Sequence, residues 1–503
     1  MGLSLFNRRI CNTYNGVLKT CDNSNITATP KPMSDGVGND VPINIGTSTI
    51  CYTGTQDFTG ATVVGISGAT AGLVAGNGTN SMVSSSIGGT VACADGTSSL
   101  AIGNGACNTQ CSSVSIGIGA IGLCESVISI GENACANGSN SIAIGQGADT
   151  IGFATISIGD NSAANGCRAT TIGASSSACG DNTFAAGYNA GAFADNGIAI
   201  GNDADNSNTG TSGISIGRQA RTESTNTIAI GSNANILQNA SICSPSAIAI
   251  GCAATVSDSC SAIIIGEAAR SNNAEAGIAI GRNAVVQCTT LVGITECSSG
   301  IAIGDCANAC GVSIAMGYGS IACSTGAVAI GLEACANNPS TIAIGRGAKV
   351  ILGAGSTEGI ALGTSACVTA VEGFAMGVGS RASNGGRNTA IGTTARADAT
   401  IGSSVSIGPS ATVCAVAAYG TAIGASTIIF NQCASAIGIL SRACADSATA
   451  IGAGVHACRA GVTTTCELET CVAGCGVIVK TPNGSASYRI AVDNSGNLTT
   501  TLV

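Results

Sequence analysis

The side chains best able to do chemistry in this 503-residue chain are its 27 cysteines. Thiols can pair as disulfides, ligate a soft metal or act as nucleophiles. Metal and catalytic roles need partners, and the sequence supplies few. His456 is the single histidine, and Cys466, Cys471 and Cys475 lack the Cys-x-x-Cys spacing of a zinc site. No nucleophile elbow or phosphate loop is present, and the carboxylates form no acid–base constellation. Gly-x-Gly pairs such as Gly103-Asn104-Gly105 would need a following helix to hold a dinucleotide. The chain is therefore expected to be no enzyme and to hold no cofactor and no metal. Two structural readings of the thiols remain: small buried apolar side chains, or disulfides within or between chains. The candidate disulfide cysteines are Cys107, Cys135, Cys179, Cys288, Cys297, Cys335, Cys367, Cys466, Cys471 and Cys475, with the pairing open. An odd total leaves at least one thiol free or paired between chains.

Many of these cysteines keep step with a recurring glycine. Cys107, Cys135, Cys335 and Cys367 lie four residues after it, and Cys179, Cys310, Cys323, Cys414, Cys444 and Cys458 lie six after it. The glycine ends the tetrapeptide Ile-Ala-Ile-Gly or a close variant. It falls at Gly103, Gly117, Gly131, Gly145, Gly159, Gly173, Gly187 and Gly201 in steps of 14, then continues through Gly231 and Gly345 to Gly452, 24 copies in all. The preceding residue is Ile in 20 copies, among them Ile102, Ile116, Ile130, Ile144, Ile158, Ile200, Ile230 and Ile344. Large-small-large alternation with period two predicts a strand whose β-branched side chains share one face. The small residue, such as Ala143, faces the other side, where something must approach closely. Glycine permits the sharp corner that follows, and Ala recurs three residues later, opening a second short strand. Two strands and two corners in 14 residues make one coil of a parallel β-solenoid. No coil can bury its Ile pair alone, so stacking on neighbours must do so. At about 4.8 Å per coil the rod extends over roughly 115 Å.

The composition agrees with a repeat lattice of small side chains. Aromatic residues are 3% of the chain, Trp is absent, charged residues are 9%, and there are 73 glycines. A bulky irregular core cannot be assembled from this inventory. Net charge is −9 with no Lys/Arg cluster, which excludes a nucleic-acid partner. No run of about 18 apolar residues is uninterrupted, so no membrane insertion is expected. The residues after Met1 carry no secretory core, and Phe6 stands where a myristoylation motif has Ser or Thr, so the chain reads as made in a cytoplasm.

Asn140-Ser141-Ile142-Ala143-Ile144-Gly145, Asn226-Thr227-Ile228-Ala229-Ile230-Gly231 and Ser340-Thr341-Ile342-Ala343-Ile344-Gly345 resemble the head repeats of trimeric autotransporter adhesins, the YadA-like left-handed parallel β-roll. The resemblance spans roughly residues 95–460. It implies an all-β fold, a left-handed roll of about 24 coils, and a homotrimer about one axis, with the small residue suited to close packing there. The family's heptad stalk and membrane anchor are not expected here, and family heads are poor in Cys. The repeat is therefore read as borrowed for another surface.

Three regions are expected: an aperiodic N-terminal anchor or cap over 1–95, the roll over 96–460, and a β-meander cap over 461–503. The meander is read from Val477–Lys480, Ser487–Val492 and the strand from Leu498, joined at Pro482-Asn483-Gly484 and Asn494-Ser495-Gly496. The repeat stretches at 232–250 and 285–300, where insertions leave the solenoid as loops. The functional expectation is a non-enzymatic surface fibre, on a virion and serving host attachment through a receptor or glycan, tied to an anchoring protein of the particle. The alternative is an adhesin of a bacterial cell or spore surface.

Overall fold

The computed structural model describes residues 19–22, 24–34, 40–45, 50–52, 73–84, 91–207, 211–237, 245–291, 294–296, 299–351, 358–465, 477–481, 485–493 and 495–502. The chain divides into two units, Met1–Thr70 and Ala71–Val503. In the first, Lys19–Thr20, Lys31–Ser34, Asp40–Ile45 and Ile50–Tyr52 form a four-stranded antiparallel sheet in that order. A bulge between Pro32 and Met33 shifts its register, and Met33 is buried.

All described regular structure in the second unit is β-strand. Its body is a parallel solenoid of about 25 turns, each carrying a three-residue strand and a shorter one. Ile128–Ile130, Ile142–Ile144 and Ile156–Ile158 lie in register in the first sheet. Cys135–Ala136, Asp149–Thr150 and Ala163–Ala164 lie in register in the second. The first ladder already includes Met82–Ser84, and the second starts at Cys93–Ala94. The stack thus begins before the first Ile-Gly copy.

Each 14-residue coil is two similar halves. Left-handed backbone recurs every seven residues, at Asn133 (φ 55°), Asn140 (φ 60°), Gly147 (φ 61°) and Ala154 (φ 56°). Asn, Ser and Gly dominate these positions because they tolerate positive φ. The coil-to-coil hydrogen bonds run through the corners as well as the strands: Asn140 N–H donates to Glu125 O at 3.0 Å and Gly147 N–H to Glu132 O at 2.8 Å. Gly145 has φ 136°, and a Cβ there would overlap the carbonyl of Gly159 in the next coil.

The expected direction of the Ile strands is reversed. Ala143 and its equivalents Ala101, Ser115, Ser129 and Ala199 are wholly buried inside the coil, whereas Ile142 and Ile144 are only half-buried and point outward. The interior is lined by residues such as Ala134, Ala136, Ala143 and Ala148. A coil of 14 residues encloses a space too narrow for facing Ile side chains, so the small residue belongs inside. Larger interior residues appear where the facing position is glycine. A Cβ on Gly373 would lie 2.7 Å from Val368 Cγ1, and one on Gly420 would lie 2.9 Å from Val413 Cγ1 and 3.0 Å from Ile429 Cγ2. Interior polar groups bond locally: Ser129 Oγ donates to Ala134 O at 2.7 Å. Asn388 Nδ2 donates to Ser383 O and Ala399 O, while its Oδ1 accepts from Ser404.

The 285–300 insertion contains an antiparallel hairpin, Thr289–Leu291 with Ile294–Glu296. In the 232–250 insertion, Asn235–Leu237 joins the second sheet, and the segment after it lies outside the described residues. At the C-terminus, Val477–Lys480, Ser487–Val492 and Leu498–Leu502 form a three-stranded antiparallel sheet.

Candidate functional site

The candidate site is the outer face of the first sheet. Because Ala143 fills the interior, its neighbours Ile142 and Ile144 must point out, and in-register stacking sets each on the equivalent Ile of the next coil. Ile102, Ile116, Ile130, Ile144, Ile158, Ile200, Ile230 and Ile344 therefore form one column, with glycines Gly103, Gly117, Gly131, Gly145, Gly159, Gly201, Gly231 and Gly345 at the adjoining corner. Stacking covers only the flanks of each side chain: Ile172 remains 43% exposed and Ile451 41%. A contiguous apolar face of this extent is not left open to water in a soluble monomer. Bulk on this face is also compensated within a coil, since Phe184 in the first outward position is accompanied by Ala186 in the second. Towards the C-terminal end the first outward position becomes hydroxylic, at Thr389, Thr421, Ser435, Thr449 and Thr463.

The outer face of the second sheet is mixed. It carries Cys107, Ile121, Cys135 and Asp149 in one column near the N-terminal end and Lys349, Cys367, Arg381 and Arg396 further on. Arg396 pairs with Asp398 at 2.9 Å and Arg381 lies 3.7 Å from the same carboxylate. Burial pushes the Asp149 carboxyl up, and burial with the nearby Asp149 charge pushes the Cys135 thiol up. Burial likewise raises Cys335 and Cys414. These are not activated thiolates.

The cysteines are not core filler. Among the described cysteines only Cys310 is buried; Cys107, Cys135, Cys335 and Cys367 are half-buried and Cys179 is exposed. Offsets four and six from the glycine point outward, alternating with the buried offsets three and five. Cys288 N–H donates to Asn272 O at 3.2 Å at the exit to the hairpin. Cys297, Cys466, Cys471 and Cys475 lie outside the described residues. No described pair is at bonding distance, but the fold stacks Cys93 on Cys107, Cys310 on Cys323 and Cys444 on Cys458. The last two pairs were legible as cysteines at the same offset in successive repeats. Cys93 was not, because no Ile-Gly copy precedes it. Among the described residues no three His, Cys, Asp or Glu side chains gather to hold a metal ion.

Comparison with known families gives one match. The model of the YadA head domain repeat (2 copies) matches residues 128–148, 178–204, 209–234 and 313–334. No curated protein matches the chain. The chain carries YadA head repeats, and its β-solenoid is the structure those repeats build here.

Proposed function

We propose that this chain is the repeat-built part of a homotrimeric, non-enzymatic attachment fibre, with the isoleucine faces of three copies packed about a common axis. The observation that carries the reading is the outward apolar ladder from Leu100–Ile102 to Thr449–Ile451. A face of in-register Ile pairs is self-complementary and becomes dry only against another apolar face. The Phe184/Ala186 exchange supports the same reading, since compensation of bulk has a purpose only where the face is packed. The family match supports an adhesin-like fibre. We assign the fibre to a virion surface, held there by an anchoring protein and meeting a host receptor or glycan. The cysteine content and the three-stranded C-terminal sheet, in which the sequence resembles the ends of phage structural proteins, favour that surface. A bacterial or spore surface is the second reading, favoured by the adhesin character of the matched repeats.

Light scattering on the purified chain tests the assembly: a mass near three times 48.2 kDa is expected. The double variant Ile144→Asp/Ile158→Asp is expected to shift it towards the monomer with the β-sheet circular dichroism retained. A monomeric parent chain at micromolar concentration would overturn the reading. Immunogold labelling of particles against cells separates the two surfaces.

A further inference from the structure

We propose that three stacked cysteine pairs, Cys93–Cys107, Cys310–Cys323 and Cys444–Cys458, are sites of intrachain disulfides that clamp successive coils. Their positions carry the inference. Cys93–Ala94 and Cys107–Asn108 are the first two strands of the second sheet, with Cys93 and Cys107 direct register partners. Arg442–Ala443 and His456–Ala457 are its last two strands, and Cys444 and Cys458 follow them in register, the Cys444 N–H donating to Ala457 O at 2.9 Å. Asn308–Cys310 is its first strand after the hairpin insertion, and Ala309 pairs with Ala322, so that Cys310 sits on Cys323. These are the places where a stack of coils is weakest. A terminal coil has one neighbour instead of two, and the hairpin interrupts the chain between two coils.

The geometry suits a bridge. Neighbouring parallel strands lie about 4.8 Å apart, inside the roughly 4.4–6.8 Å Cα separation that a disulfide spans. Cys310 and Cys323 already have their Sγ atoms 3.2 Å apart. Both side chains of each pair leave the same face of the sheet, so closing the bond needs side-chain rotation and no change of register.

The chemistry balances with a small-molecule disulfide as oxidant. Cys323, the more exposed partner of its pair, loses its proton and attacks that disulfide, forming a mixed disulfide and releasing one small thiol. The Cys310 thiolate then attacks the Cys323 sulfur and expels the second small thiol. The protein gives up two electrons and two protons, and the oxidant gains both. Cys310 is prepared for the second step, because hydrogen bonds from Cys323 and from Gln287 Nε2 (3.2 Å) lower its thiol to about 7. Cys93 is the opposite case: burial, then its hydrogen bond to Asp95, push it up to about 12, which leaves Cys107 as the attacking thiol there.

The test uses the full chain, purified reduced and incubated with oxidised glutathione. After acid quenching and alkylation, peptic peptides are sequenced by mass spectrometry. Three cross-linked peptides are expected, joining 93 to 107, 310 to 323 and 444 to 458, with the intact mass lower by about 2 Da per bridge for the lost hydrogens. The C310S variant, which places at this slot the residue found at Ser383, should leave Cys323 fully alkylated and the other two bridges unchanged. Recovery of the six cysteines alkylated or glutathionylated, or linked to other cysteines within or between chains, would overturn the proposal. So would protection of Cys323 in C310S.

Discussion

Gly145 turns the chain with φ 136° while its α-carbon faces the carbonyl of Gly159. Both demands exclude a side chain, and Gly131 and Gly159 meet the same two demands in the neighbouring coils. Gly145→Ala is expected to destabilise the chain by more than about 2 kcal/mol, read from urea denaturation; an unchanged midpoint would mean that the corner relaxes freely. Asp149 gives a pH-dependent effect of known sign. Burial raises its carboxyl above the ordinary 3.8, so the folded state holds the proton more tightly than the unfolded one. Stability from this group is present below 3.8 and falls as pH rises through the folded value. Asp149→Asn is therefore expected to raise the melting temperature at pH 7, with the gain disappearing below pH 3.8. A gain that persists in acid would assign the effect to something other than ionisation.

At the level of the coil, the interior works as a volume balance between facing positions. Val368 fits because Gly373 faces it, with the two closer than a Cβ on the glycine would allow. Gly373→Val should cost about 1–3 kcal/mol by overpacking, and Val368→Ala in the same chain should recover much of it. Additive losses in the double variant would refute the pairing. The two half-coils share their spacing of left-handed positions but differ in what they face outward. Deleting residues 132–145 removes one whole coil, so trimers slightly shorter in the stack are expected. Deleting 132–138 keeps the seven-residue rhythm of positive φ but moves every later Ile pair from the first sheet to the second. β-Sheet circular dichroism should survive that change while light scattering reports loss of the trimer. Equal trimer content in the two deletions would show that the Ile face does not direct assembly.

Over the whole molecule, charge is unevenly spread along the stack. Residues 71–300 carry 14 Asp and Glu against 5 Lys and Arg, which equals the chain's entire net charge of −9. Three copies packed in parallel bring these negative segments side by side, and the repulsion between exposed charges is screened by salt. Trimer stability is expected to rise between low and physiological ionic strength, measured by dissociation on dilution. A fall would indicate an arrangement in which the negative segments lie opposite the later, more basic coils that carry Lys349, Arg381 and Arg396.

The sequence by itself determined the solenoid. A glycine recurring at 14-residue spacing after Ile-x-Ile encodes strand, corner and stacking period locally, and a local code repeated two dozen times needs no distant contact to interpret it. The meander at Val477–Lys480, Ser487–Val492 and Leu498–Leu502 was legible for the same reason, from alternation and turn residues. Which side of the Ile strand is the inside was not legible. Period two says that Ile142 and Ile144 oppose Ala143, but not which face the coil encloses, and the ordinary rule that large apolar residues go inside fails here. The tertiary structure decided it through the width of the coil: the interior accommodates Ala143 and excludes two Ile, so the largest apolar side chains were turned outward. The same geometry set Cys310 upon Cys323, since two positions 13 residues apart become neighbours only when the chain completes a turn.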